Sequence, residues 1–203
     1  MTDLRSADNL QEVRAYFDKR AHDWDERQHP DPKTINSILQ KGGVKGRVLD
    51  VACGTGVMIP FYLEAGVERI VGIDLSPKMI EEAEKKFAGE KRVSFLAADA
   101  VEAEFNEPFD AVVVFNAWPH FIEPLKAINA FAKDLKIGGR LVIAHDKGRK
   151  QLDRIHEGGA PFISLPLPPA QSLAERMQGW LKVECAVDEE EKYEVVGKKI
   201  AWA

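Results

Sequence analysis

Residues 48–56 read Val48-Leu49-Asp50-Val51-Ala52-Cys53-Gly54-Thr55-Gly56, and the next apolar run, Ile70-Val71-Gly72-Ile73, closes on Asp74. Val48 to Val51 is a short run with β-branched residues, the pattern of a strand buried on both faces of a parallel sheet. Gly54 and Gly56 follow at once, where the chain must turn toward a helix. Glycine takes positive φ and has no Cβ, so a ligand can approach the main chain there. Asp74 falls about twenty residues beyond that turn, where a carboxylate can accept hydrogen bonds from both hydroxyls of a ribose. Together these features point to an adenosine-containing cofactor at the end of the first strand.

The glycine spacing separates the possible cofactors. The dinucleotide fingerprint needs a third glycine, and Ile59 stands at that position. A phosphate loop needs a Lys-Ser or Lys-Thr pair, and none follows. The stretch instead resembles the nucleotide loop of the class I S-adenosylmethionine-dependent methyltransferases, an acidic residue followed by x-G-x-G. Here that is Asp50, with Ala52 in place of the family's commonest first glycine, then Cys53-Gly54-Thr55-Gly56. Further family signals follow in order. Ile73-Asp74-Leu75-Ser76 resembles the ribose-binding strand end, and Phe95-Leu96-Ala97-Ala98-Asp99-Ala100 the third strand with its adenine-facing acid. The run from Phe109 to Asn116 is similar to the fourth strand, and Leu135-Lys136-Ile137-Gly138-Gly139 to the turn into the fifth. The resemblance covers residues 47–145.

That resemblance implies an α/β, Rossmann-like class I methyltransferase fold. Its sheet is seven-stranded and mostly parallel, in the order 3-2-1-4-5-7-6, with helices on both faces. It also implies S-adenosylmethionine as cofactor and S-adenosylhomocysteine as product. The implied cofactor-binding residues are Asp50, Ala52, Cys53, Gly54, Gly56, Asp74, Leu75, Met79, Asp99, Ala100 and Asn116. Asp50 would help to hold the ammonium group of the methionine part.

Composition narrows the setting. With 203 residues the chain is long enough for one α/β domain with a full core. The expected division is an N-terminal helical lid over 1–42, a cofactor-binding core over 43–145, a substrate cover over 146–167, and a closing helix and hairpin over 168–203. A net charge of −5 leaves no overall basic footprint for nucleic acid. No 18-residue apolar run suggests a membrane span. The N-terminus carries no apolar signal region. Cys53 and Cys185 lack metal-type spacing, which fits a reducing cytoplasm and argues for no metal site. Cys53 reads as a small loop-filling residue in preference to a nucleophile. A monomer or homodimer is expected.

Periodicity places the helices. Residues 8–27 read as one helix, opened by a capping box of Asp8 and Gln11 and carrying Leu10, Val13, Phe17 and Trp24 near helical spacing. Its stretch Tyr16 to Asp25 resembles the cofactor lid of small-molecule family members. A helix over 32–41 should end at Gly42-Gly43, and one over 57–65 carries Pro60 in its first turn. Ser76-Pro77 is an N-cap with proline at the first helical position. Glu81–Lys85 and Glu82–Lys86 are expected as i,i+4 pairs, above a buried stripe of Ile80, Ala83 and Phe87. Leu125, Ile128, Phe131 and Leu135 form a similar stripe. A last helix over 168–179 precedes strands over 181–187 and 193–200, joined by a solvated turn at Asp188-Glu189-Glu190-Glu191.

Two segments should face the transferred methyl. Asn116-Ala117-Trp118-Pro119-His120-Phe121 follows the fourth strand, and it lacks the two central prolines of the N-P-P-Y loop of adenine and glutamine methyltransferases. Residues 145–162 follow the fifth strand and carry Lys147, Arg149, Lys150 and Arg154 with His145 and His156. A solvated helical face explains such charge. So does a site for an anionic group or for proton removal. The candidate substrate residues are Tyr16, Trp24, Trp118, His120, Arg149 and His156, and the candidate bases are His120 and His145. The expected function is methyl transfer to an O, N, S or C atom of a small molecule, with an anionic acceptor as the sharper form. A methyltransferase for protein or RNA, or a non-catalytic cofactor-binding protein, remain the alternatives.

Overall fold

In the computed structural model, which describes residues 7–152 and 164–201, the Val48–Val51 run is an inner strand of a seven-stranded sheet. The strands are β1 (Arg47–Val51), β2 (Arg69–Asp74), β3 (Val93–Ala97), β4 (Phe109–Phe115), β5 (Leu135–His145), β6 (Lys182–Asp188) and β7 (Tyr193–Lys198). The helices are α1 (Ala7–Asp18), α2 (Pro32–Lys41), α3 (Ile59–Glu64), α4 (Pro77–Lys86), α5 (Pro124–Asp134) and α6 (Ala170–Met177). The sheet order is β3-β2-β1-β4-β5-β7-β6, as the resemblance implies. β1 pairs in parallel with both β2 and β4, with Asp50 beside Gly72 on one side and Val113 on the other. The connections leave β1 in one direction and return at β4 in the other, which opens a crevice at their carboxyl ends. β7 inserts antiparallel beside β5.

Strand alternation sorts the core into two layers. Leu49, Val51, Val112, Val114, Leu141 and Ile143 face one side, against Phe131 of α5 and Leu173 of α6. Val48, Ala111, Val113, Val142 and Ala144 face the other, against Ile35 and Ile38 of α2 and Tyr62 of α3. Both faces of the central strands are covered, which is why their sequence is continuously apolar.

Several local expectations are corrected. The N-terminal helix ends at Asp18 and gives way to two 3-10 turns, Ala21–Asp23 and Asp25–Arg27. Tertiary ties win over helical continuation: Asp18 accepts hydrogen bonds from Ser76 Oγ at 2.5 Å and from the Lys78 amide at 3.3 Å, at the start of α4. The capping box of Asp8 and Gln11 lies outside the described residues, because the Asp8 side chain is not among them. On α4 the ion pairs are Lys78–Glu81 and Glu82–Lys85, both i,i+3, while Lys86 reaches out to Asp25. Leu125 is 52% exposed, so the buried stripe of α5 starts at Ala127. The turn before β5 is instead an irregularity within that strand, between the pairs Phe109–Leu135 and Ala111–Arg140. Asp188 is more than part of a solvated turn, since it accepts from Arg149 Nε at 2.7 Å and from the Ala170 amide at 3.3 Å.

Candidate functional site

β1 and β2 carry the cleft's two central acids to their carboxyl ends. Asp50 is 1% exposed and Asp74 9%. Ala52 leaves β1 with φ 55°, a left-handed conformation that an L-residue adopts at a cost, and Gly54 follows with φ 56°. The left-handed turns aim the Gly54 amide at Asp74, whose Oδ2 accepts it at 2.9 Å. Asp74 Oδ1 accepts the Ser76 amide at 2.8 Å. Each carboxylate oxygen keeps a second lone pair. Burial pushes the Asp74 carboxyl up to about 6, against the pull of the Ser76 and Gly54 amides.

Asp50 is set differently. Its Oδ1 accepts the Tyr62 hydroxyl at 3.0 Å, and its Oδ2 is buried with no hydrogen-bond partner among the described residues. Burial raises its carboxyl to about 7, opposed by the Tyr62 hydrogen bond and helped by the Asp74 charge. An orphaned acid oxygen in a cleft wall is costly unless a ligand completes it, and a cation fits best. Burial, with Asp50 and Asp74 alongside, also drives the Cys53 thiol well above its usual range. Cys53 is therefore a neutral, loop-filling thiol.

A cavity of about 410 Å³ opens above these residues. Its wall includes Asp50, Ala52, Cys53, Gly54, Asp74, Leu75, Met79, Asp99, Ala100 and Asn116. Gly56 is not in the wall. With φ 82° it packs so closely on Phe87 that a Cβ there would lie 2.6 Å from the ring. Asp99 Oδ1 accepts the Val101 amide at 2.9 Å. Asn116, also left-handed at φ 54°, exchanges hydrogen bonds with Asp146 and so ties the ends of β4 and β5. The cradle suits an adenosyl cofactor: an acid for the ribose, an acid for the adenine amino group, and an orphaned carboxylate for an ammonium.

The N-terminal segment forms the opposite wall through Leu10, Val13, Phe17, Trp24 and Gln28. A Cβ on Gly54 would sit 3.3 Å from Trp24 Nε1, a tight approach that adds to the preference for glycine set by its φ of 56°. Phe17 meets both Trp24 and His120 edge-on, with centroids 5.5 and 5.2 Å apart. Asp25 accepts from Thr55 Oγ1 at 2.5 Å and pairs with Lys86.

The expected substrate residues divide. Trp24 and His120 line the cavity. His120 Nδ1 lies 3.2 Å from Ser164 Oγ, and the Leu165 amide donates to the Pro119 carbonyl at 2.7 Å. Tyr16 does not line it and carries the Arg20 guanidinium 3.5 Å above its ring. Trp118 is 3% exposed and stacks on Phe121, because the 3-10 turn Trp118–His120 rotates the indole into the core. His145 still belongs to β5, and alternation puts it on the α5–α6 side, buried edge-on against Tyr193. Arg149 points to Asp188. Gly148 explains that placement: its amide donates to the Glu190 carbonyl at 3.0 Å, and a Cβ would lie 2.2 Å from the Glu189 carbonyl oxygen. The segment after β5 is thus pressed against the hairpin turn. His156 and Arg154 lie outside the described residues. Of the candidate substrate residues and bases that are described, Trp24 and His120 line the cavity, and Tyr16, Trp118, His145 and Arg149 do not.

Sequence reasoning passed over Tyr62, Thr55 and Ser164. Tyr62 had a usable signal, as the one hydroxyl on the inward face of the helix after the glycine loop.

Residues 48–139 match the methyltransferase-domain family. The chain is 37% identical over 98 residues to a demethylmenaquinone methyltransferase of Clavibacter sepedonicus, covering 48% of this chain and 40% of that protein. It is 29% identical over 137 residues to a malonyl-[acyl-carrier protein] O-methyltransferase of Acetivibrio thermocellus, covering 65% and 48%. The chain therefore spans less than half the length of either relative. Among solved structures, the N-methyltransferase NodS of Bradyrhizobium japonicum with S-adenosylhomocysteine superposes with a TM-score of 0.70 at 16% identity, over 92% of this chain and 97% of that one. That likeness concerns the fold.

Proposed function

We propose that this chain, by family a class I S-adenosylmethionine-dependent methyltransferase, moves the cofactor's methyl group to a small, mainly apolar acceptor. The observation that carries the reading is the pair of buried acids at the β1 and β2 ends, one bridging the Gly54 and Ser76 amides and the other with an oxygen awaiting a partner. S-adenosylmethionine supplies the activated methyl on a sulfonium, so the protein's task is mostly to bind, orient and exclude water.

In this reading Asp74 holds the ribose hydroxyls, Asp99 the adenine amino group, and Asp50 the ammonium. Leu75, Met79 and Ala100 enclose the adenosine. Residues 1–42 act as the lid, 43–145 as the cofactor core, 146–167 as the acceptor cover, and 168–203 as the closing helix and hairpin. Phe17, Trp24 and Phe121 give the cavity aromatic walls, which suit both a sulfonium and an apolar acceptor. Among the described residues, Arg149 pairs with Asp188 and the lining Lys126 with Glu102, so neither is set aside for an anionic acceptor. His120 is the side chain placed to take a proton where the acceptor atom is a hydroxyl, which would contribute about 10²–10⁴-fold. The relatives named for menaquinone and malonyl-carrier methylation favour a small acceptor or carrier-bound group over RNA.

The test is a methyl-transfer screen of phenols, thiols, amines, carboxylates, protein and RNA, read as S-adenosylhomocysteine release. Turnover of apolar phenols or thiols is expected. Turnover confined to protein or RNA would reverse the acceptor class.

A further inference from the structure

Tyr62 sits on α3, twelve residues after Asp50, and is fully buried. Its ring packs among Ile35, Ile38 and Ile59 in the layer between α2, α3 and the sheet. A phenol there sets a polar atom in an apolar layer. Its hydroxyl meets one acceptor, Asp50 Oδ1 at 3.0 Å. Phenylalanine would fill the same space but would leave the buried Asp50 Oδ1 without its donor, so what the hydroxyl adds concerns Asp50. The hydroxyl therefore calls for a reason beyond packing.

The geometry of Asp50 supplies it. Alternation along β1 turns the side chain toward the α3 face, away from Leu49 and Val51. With Oδ1 engaged by Tyr62, the carboxylate cannot rotate freely, and Oδ2 is the oxygen left at the cavity wall without a partner among the described residues. We infer that Tyr62 is a positioning residue for the amino-acid end of the cofactor: its phenol locks Asp50 so that Oδ2 meets the cofactor's ammonium. The inference rests on the reading above that the cavity takes S-adenosylmethionine. It extends that reading to a residue that does not itself line the cavity. It also makes α3, and not only the glycine loop, part of cofactor recognition. The adenosine end is held by Asp74 and Asp99 and owes nothing to Tyr62.

That separation of the two ends supplies the test. Calorimetric titrations of wild type, Tyr62→Phe and Asp50→Asn use S-adenosylhomocysteine, which keeps the amino-acid group, and 5′-methylthioadenosine, which lacks it. Tyr62→Phe should weaken S-adenosylhomocysteine roughly ten-fold, the worth of a hydrogen bond to a charged group. It should leave 5′-methylthioadenosine within about two-fold. Asp50→Asn should show the same selectivity with a larger loss, and the double variant should be no weaker than Asp50→Asn alone, since the two residues act as a unit. Equal losses for both ligands in Tyr62→Phe, or none, would overturn the positioning role. If that variant is poorly folded, Asp50→Asn still decides: loss of both ligands alike would show that the ammonium is held elsewhere. Failure of the wild type to bind either ligand would instead overturn the cofactor reading, and this inference with it.

Discussion

Asp74 shows how one side chain can be both structural and functional. Its two oxygens pin the Gly54 and Ser76 amides, which fixes the glycine loop and the start of α4 relative to each other. Replacing it by alanine removes those ties and the proposed ribose contacts. Asp74→Ala should weaken S-adenosylhomocysteine by about 1.5–3 kcal/mol, measured by calorimetry. An unchanged affinity would remove Asp74 from the site. Asp50 adds a dependence on pH. Its carboxyl rises to about 7 in the folded chain, from an ordinary value of 3.8. A raised acid binds its proton more tightly when folded, so its ionisation opposes folding as pH climbs between those two values. Relative to Asp50→Asn, the ligand-free wild type should lose stability from pH 4 to pH 7. A bound ammonium favours the ionised acid, so the thermal stabilisation given by S-adenosylhomocysteine should grow over the same interval. A ligand-induced rise in Tm that is flat from pH 5 to 7.5 would contradict this.

Among the elements, the N-terminal segment has the most to reveal. α1 and the two 3-10 turns are attached to the cofactor loop and α4 by Asp18 and Asp25, and to the cavity by Phe17 and Trp24. The Asp25–Lys86 pair is solvent-exposed and contributes little. The bond from Thr55 matters more, because Thr55 is 1% exposed. If the segment is a lid that must open for exchange, Asp25→Ala should speed S-adenosylhomocysteine dissociation about three- to ten-fold in stopped-flow measurements. The order of affinities among adenosyl ligands should not change. An unaltered off-rate would make the segment a fixed wall.

At the scale of the whole molecule, the sheet order followed from the family resemblance, which rests on signatures at the strand ends. Asp50 and Asp74 end β1 and β2, and the apolar run from Phe109 and the Gly138-Gly139 pair mark β4 and β5. Most of the residues that the resemblance marks for the cofactor line the cavity, because they lie on or just after strand ends. The acceptor half was not legible in that way. The pattern places His145 just after the fifth strand, yet β5 runs on to include it, and one more strand residue sends a side chain to the opposite face. Arg149 looked free because its partner, Asp188, is 39 residues away on the last hairpin. Trp118 is expected to face the acceptor, but a 3-10 turn folds it inward. The break at Asp18 was likewise invisible, since helical periodicity says nothing of a hydrogen bond to Ser76. Local pattern reveals local structure, and contacts distant in sequence decide the rest.

The central claim is that the β1–β2 crevice takes S-adenosylmethionine and not a dinucleotide. Calorimetry of the wild type with S-adenosylhomocysteine and with NAD, repeated on Gly54→Val, tests it most directly. Saturable 1:1 binding of S-adenosylhomocysteine, no heat with NAD, and loss of binding when a valine side chain is forced against Trp24 are the expected results. Tight NAD binding, or unchanged S-adenosylhomocysteine affinity in Gly54→Val, would contradict it.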